Sequence, residues 1–155
     1  EFKQRVLRKE FAEWAMVHGN YYGTPRANIT DTVNRGRDLL LDIDVQGGMN
    51  LRKHYPDNVA LIFILPPSYA GLRERLRNRG TEDADVLNRR LENARAEILK
   101  LPHYDYFVVN DKLSEAVAQV KNIITAERMK IKYYDFSRLP TRRNVRFTDL
   151  RRHFQ

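Results

Sequence analysis

Apolar positions along this chain alternate between short blocks and regularly spaced ones, and the two patterns predict different elements. Residues 39–45 (apolar but for Asp42 and Asp44), 59–65 and 106–109 form blocks of strand length. Each is closed by turn or breaker residues: Gly47-Gly48, Pro66-Pro67 and Asn110-Asp111. Helical spacing predicts a helix over 1–11 with Phe2, Val6 and Leu7 on one face. It predicts another over 47–54, and one after Ser68, an expected N-cap, carrying Leu72 and Leu76. Gly80-Thr81 breaks that helix, and the next starts near Asp83 with Val86, Leu87, Leu91, Ala94 and Ile98 on one stripe, ending before Pro102. The last predicted helix, over 113–133, is built on Leu113, Val117, Val120 and Ile124. Residues 1–36 otherwise read as a mixed lobe with turns at Gly19-Asn20, Gly23-Thr24-Pro25 and Asn34-Arg35-Gly36. Strands alternating with helices predict an α/β fold with a parallel sheet covered by helices.

Composition narrows the class without naming a function. The 155 residues are 42% apolar and 31% charged, as in a globular domain with a real core. No apolar run reaches membrane-spanning length and no signal peptide is visible. The absence of cysteine excludes disulfides and thiolate metal sites and fits a reducing, cytoplasmic setting. His18, His54, His103 and His153 show no metal-ligand spacing. The net charge of +8 points to anionic partners. Its arginines fall in two groups: Arg73, Arg75, Arg77, Arg79, Arg89, Arg90 and Arg95 on the predicted helix pair, and Arg138, Arg142, Arg143, Arg146, Arg151 and Arg152 in the tail. Guanidinium forks suit phosphate oxygens. The tail, without the stacking aromatics of known RNA modules, reads as a solvated extension, so no specific nucleic acid is expected.

The chemistry concentrates in two segments. Glu13-Trp14-Ala15 followed by Gly19-Asn20-Tyr21-Tyr22-Gly23-Thr24 brings a carboxylate, two phenols and a hydroxyl together, which suits a planar polar base with a phosphate nearby. Asp42-Ile43-Asp44-Val45-Gln46-Gly47-Gly48 places carboxylates and glycines at the end of a predicted parallel strand, where open α/β sheets hold their ligands. In order and spacing these segments resemble the guanylate kinase family, and the resemblance runs from residue 1 to about 127. It implies an incomplete nucleoside monophosphate kinase core of the phosphate-loop type, with a GMP-binding lobe and a helical lid. It implies cytoplasmic phosphorylation of GMP by ATP with Mg²⁺. Glu13, Tyr22, Thr24 and Asp44 match residues that contact GMP, and Asp42 lies near metal and phosphates as a possible outer partner. Chemically, a carboxylate suits the adjacent N1–H and exocyclic amine donors of guanine, Thr24 can donate to O6, and adenine would leave the carboxylates unmatched.

Arg79, before Gly80-Thr81, and Arg90 match the lid arginines that stabilise charge in phosphoryl transfer. Arg75 matches a basic lid position and Asn110 an asparagine at the ATP adenine. The chain contains no Gly-x-x-x-x-Gly-Lys-Ser/Thr, so the resemblance implies a fragment that lacks the phosphate loop, has no metal ligands of its own and is close to inactive alone. The expected organisation is 1–36 part of the GMP-binding lobe, 37–67 core, 68–100 lid, 101–134 core and 135–155 a basic tail. A guanylate-kinase-like module that binds peptides or phosphopeptides without catalysis is the alternative, against which the lid arginines speak. An RNA-binding reading rests on charge alone.

Overall fold

The computed structural model describes residues 1–17, 19–78 and 84–133. Packing divides the chain into two units, 1–120 and 121–155. Among the described residues the first unit holds two small sheets. An antiparallel hairpin pairs β1 (Phe11–Val17) with β2 (Asn20–Pro25), and a parallel pair joins β3 (Ile62–Leu65) to β4 (Tyr106–Val109). Around them lie helices α1 (Phe2–Leu7), α2 (Arg26–Asn34), α3 (Val45–His54), α4 (Tyr69–Asn78) and α5 (Ala84–Ile98), and α6 (Leu113–Arg128) begins in this unit. The predicted β4, α4 and α5 stand where their patterns put them, and Ser68 caps α4 by accepting the Gly71 N–H at 3.0 Å.

The lobe at the front differs from expectation. Helix α1 stops at Leu7 because Lys9 takes a left-handed backbone (φ 56°) and Glu10 N–H returns to the Arg5 carbonyl at 3.1 Å. Phe11 therefore starts a strand, and Leu7 is exposed rather than sharing a face with Phe2 and Val6. Glu10 secures this corner by accepting from Arg5 Nε and pairing with Arg8 Nε, both at 2.8 Å. The Arg5 hydrogen bond, aided by Arg8, holds its carboxyl below the ordinary value. Gly19 has φ 82° between the strands, and Asn20 already belongs to β2. Gly23 is required by a close approach: a Cβ there would meet the Phe11 ring at 2.9 Å and the Glu13 carbonyl at 3.1 Å.

Residues 39–44 form no strand, although the apolar block predicted one over 39–45; Val45 opens α3 instead. An extended segment becomes a strand only when another backbone pairs with it. No described strand does so here, and Leu40 is 72% exposed. Strand β3 is likewise shorter than predicted, because Leu61 is bonded to a side chain: its N–H donates to Asp105 Oδ2 at 2.7 Å. Asp105 also pairs with Arg52 of α3 and so ties that helix to the parallel pair. The core gathers Leu51 of α3, Leu61, Phe63 of β3, Val108 of β4, Leu91 of α5 and Ala116 of α6. Ile64, Phe107 and Val109 are exposed on the parallel pair.

On α6 the buried residue is Ala116, whereas Leu113 and Val117 of the predicted stripe are exposed. The described part of the second unit, 121–133, completes this helix and adds a short 3₁₀ turn, Ile131–Tyr133, in place of the longer helix expected. The predicted tail, 135–155, lies outside the described residues.

Candidate functional site

Register in the hairpin builds one half of the site. Glu13 pairs with Thr24 and Ala15 with Tyr22, so residues 13, 15, 22 and 24 share a face. Glu13 is only 6% exposed, which a carboxylate tolerates when its oxygens find partners. Thr24 Oγ1 supplies one, donating to Glu13 Oε1 at 2.7 Å. Tyr22, 58% exposed, leaves its phenol open at the rim of the same face.

The other half arrives on α3, which packs against β1. Asp44 is its N-cap, with extended backbone and a side chain that accepts the Gly47 N–H at 2.7 Å. Glu13 Oε2 and Asp44 Oδ1 lie 2.7 and 3.1 Å from the point where a Cβ on Gly47 would stand. The two carboxylates thus converge on one glycine, and the sequence-predicted Glu13, Thr24 and Asp44 come together. A cavity of about 440 Å³ opens beside Asp44, lined also by Val45, Gln46, Met49, Asn50, Glu97 and Lys100 but not by Glu13, Thr24 or Gly47.

Tyr104 backs this corner and was not anticipated, because nothing in its local sequence ties it to α3. Its ring meets Phe63 edge-on at 4.9 Å, and its hydroxyl would stand 3.2 Å from a Cβ on Gly48. Burial, then the negative charges of Asp44 and Glu97, raise its phenol pKa above 10.0.

A second cavity of about 570 Å³ is lined by Pro66, Leu72, Leu76 and Asn110, among others. Arg75 closes its side: the guanidinium donates to the carbonyls of Asn110 at 2.7 Å and Asp111 at 3.3 Å. The sequence-predicted Arg75 and Asn110 therefore meet, and Arg75 acts here as a clip between α4 and the end of β4. Helix α5 packs against α4, with Arg95 over the Tyr69 ring at 4.8 Å, and carries half-buried Arg90. Arg79 lies outside the described residues, and Asp42 is exposed two residues before Asp44. Among the described residues no three histidine, aspartate or glutamate side chains gather as a metal site.

Comparison with known proteins gives one consistent result. The sequence profile described as Guanylate kinase matches residues 1–127. A guanylate kinase of Thermotoga maritima is 51% identical over 84% of this chain and 63% of its own length. One from Syntrophotalea carbinolica is 52% identical over 81% and 60%. The crystal structure of guanylate kinase from Anaplasma phagocytophilum superposes with a TM-score of 0.71 at 37% identity, over 84% of this chain and 62% of that one. The chain thus spans about three fifths of the length of these relatives. Sharing their fold, their sequence profile and about half of the aligned residues in the two sequence relatives, it belongs to the guanylate kinase family.

Proposed function

We propose that this chain carries the acceptor site and lid of an enzyme that transfers the γ-phosphoryl group of ATP to GMP, giving GDP and ADP. One observation carries the reading: the buried Glu13 carboxylate, held by Thr24, faces the Asp44 carboxylate across Gly47. Two fixed carboxylates match the adjacent N1–H and 2-amino donors of guanine, and adenine offers an acceptor at N1 instead. Asp44 Oδ1 is engaged by the Gly47 N–H, so Oδ2 is its free acceptor. The Thr24 hydroxyl donates to Glu13, so bonding to guanine O6 requires its proton to swing from Glu13 when the base enters. Tyr22 then donates to the nucleotide phosphate.

In this reading residues 1–36 belong to the GMP-binding lobe, 37–67 and 101–134 to the core and 68–100 to the lid, with 135–155 a basic tail. The 570 Å³ cavity, with apolar walls and Asn110 at its edge, takes the adenine of ATP. Arg75 holds the Asn110 backbone in place. Arg79 and Arg90 supply positive charge to the transferring phosphoryl group, where this chemistry needs electrostatic stabilisation more than a strong base. Mg²⁺ accompanies ATP in this reading, with its ligands expected mainly from outside these 155 residues and Asp42 as an outer partner. No phosphate-loop motif occurs in the 155 residues, so the chain alone is expected to turn over poorly. The names of the relatives and the presence of Arg90 favour the kinase over a binding module without catalysis. No helix among the described residues is long and apolar enough to cross a membrane.

The test is calorimetric titration of this chain with GMP and AMP, beside a coupled assay of the full-length protein with ATP and Mg²⁺. Preference for GMP in both supports the reading. Equal use of AMP would refute the base assignment.

A further inference from the structure

Two adjacent glycines, Gly47 and Gly48, occupy the first turn of α3, where intrinsic propensity favours alanine. Neither is needed for a left-handed backbone, since the positive-φ glycines described are Gly19 and Gly36. Their reason must lie in what approaches them, and the two differ. A Cβ at Gly48 would meet the Tyr104 hydroxyl at 3.2 Å and Leu61 Cδ2 at 3.5 Å, which is core packing. A Cβ at Gly47 would meet Glu13 Oε2 at 2.7 Å, Asp44 Oδ1 at 3.1 Å and Glu13 Cδ at 3.3 Å. Those atoms belong to the two side chains proposed to read the base.

We infer that Gly47 is the positioning residue of the acceptor site, whose missing side chain lets the Glu13 and Asp44 carboxylates close on one point and so sets the preference for guanine. The first approach is below any normal carbon–oxygen contact, so a methyl there cannot be accommodated without movement. The group that moves most easily is the end of the Glu13 side chain, since the alternatives are helix backbone and the capping bond of Asp44. A methyl at 47 therefore displaces the functional carboxylate rather than the fold. At 48 it presses on Tyr104 and leaves the carboxylates alone. The selectivity part of this inference rests on the GMP reading above; the positioning part does not.

The experiment compares the 155-residue chain with its Gly47→Ala and Gly48→Ala variants. Carboxyl ¹³C NMR follows Glu13, and calorimetry follows GMP and IMP, which lacks the 2-amino group. Expected for Gly47→Ala are a shifted Glu13 signal, GMP binding at least about tenfold weaker and a GMP-to-IMP preference falling towards one. Gly48→Ala should keep the Glu13 signal and that preference. An unmoved Glu13 signal in Gly47→Ala, or equal loss of preference in both variants, would overturn the inference. Should the parent chain bind neither nucleotide while Glu13 still moves in Gly47→Ala, positioning is upheld and the selectivity part falls with the GMP reading. Where Gly47→Ala fails to fold, adding Glu13→Asp, whose carboxylate is one methylene shorter, should restore the melting transition. No restoration would place the clash elsewhere and reject the inference.

Discussion

Thr24 and Glu13 face each other across the hairpin, and the Thr24 hydroxyl bonds to Glu13 Oε1 at 2.7 Å. The pair joins register and chemistry: the pairing that aligns the strands also partners a buried carboxylate. Replacing Thr24 with valine keeps the shape and removes the donor. It should destabilise the protein by about 1–3 kcal/mol, the usual cost of leaving a buried polar group unsatisfied. GMP binding should weaken as well. Thr24→Ser, which keeps the hydroxyl, should largely restore both. Urea unfolding and GMP titration of the two variants provide the check.

Asp44 caps α3 and, in the proposed reading, also reads the base, two roles that different substitutions separate. Asn caps as well as Asp but carries no charge, so Asp44→Asn should hold the melting temperature and lose GMP affinity. Asp44→Ala should lose affinity and about 1 kcal/mol of stability. Equal melting temperatures for the two variants would count against the cap.

Gly23→Ala places a methyl against the Phe11 ring and the Glu13 carbonyl. Backbone cannot yield as a side-chain tip can, so a loss of about 1–3 kcal/mol is expected, in the range of overpacked cores. Denaturant titration with an unchanged m-value would locate the effect in the folded state.

Tyr104 should mark the alkaline limit of stability. Its pKa is raised in the folded protein, so the neutral phenol favours folding. That contribution is complete below the unfolded value near 10 and disappears as pH rises through the folded value. Tyr104→Phe should therefore flatten the fall in melting temperature above pH 10. An identical alkaline fall in both proteins would assign it to other groups.

Arg90→Ala, made in the full-length protein, should lower kcat far more than it raises the KM for GMP. About 3 kcal/mol of transition-state stabilisation, roughly a hundredfold in rate, is the expected scale. An effect confined to KM would put Arg90 in ground-state binding.

What the sequence disclosed follows from how each element is stabilised. Strand β4 and helix α5 were legible from an apolar block and from helical spacing, although Val108 and Leu91 are the residues they bury, while Phe107, Val109, Val86 and Ile98 are exposed. The hairpin was not legible, because its burial pattern inverts the usual code. Glu13 points inward while Trp14 and Met16, on the other face, are 41% and 60% exposed, so alternation reads backwards. Helix α2, Arg-Ala-Asn-Ile-Thr-Asp-Thr-Val-Asn, has no buried residue and gave no apolar period to find. Residues 39–45 have the composition of a strand, yet pairing depends on a partner that composition does not reveal. Glu13, Thr24 and Asp44, the proposed base-reading residues, stand in ordered motifs that are visible in the sequence. Gly47 shows in the sequence only as part of a glycine turn and Tyr104 not at all, since their contacts join segments far apart in sequence.

The two sheets differ in how far the chain must travel to close them, and this gives the pocket a history. Val17 pairs with Asn20, whereas the parallel pair is anchored by Leu61 and Asp105, 44 residues apart. Hairpins form in about 1–10 μs, while distant pairings wait on loop closure and on the elements between them. Glu13 and Thr24 should therefore meet first, on a nearly bare hairpin, and Asp44 should join when α3 docks. Trp14, the single tryptophan, sits on that hairpin, so its fluorescence in a rapid refolding experiment should register the early event apart from later burial of the parallel pair. The carboxylate pair then dates the late stage of folding, because it is complete only once α3 has docked on the hairpin.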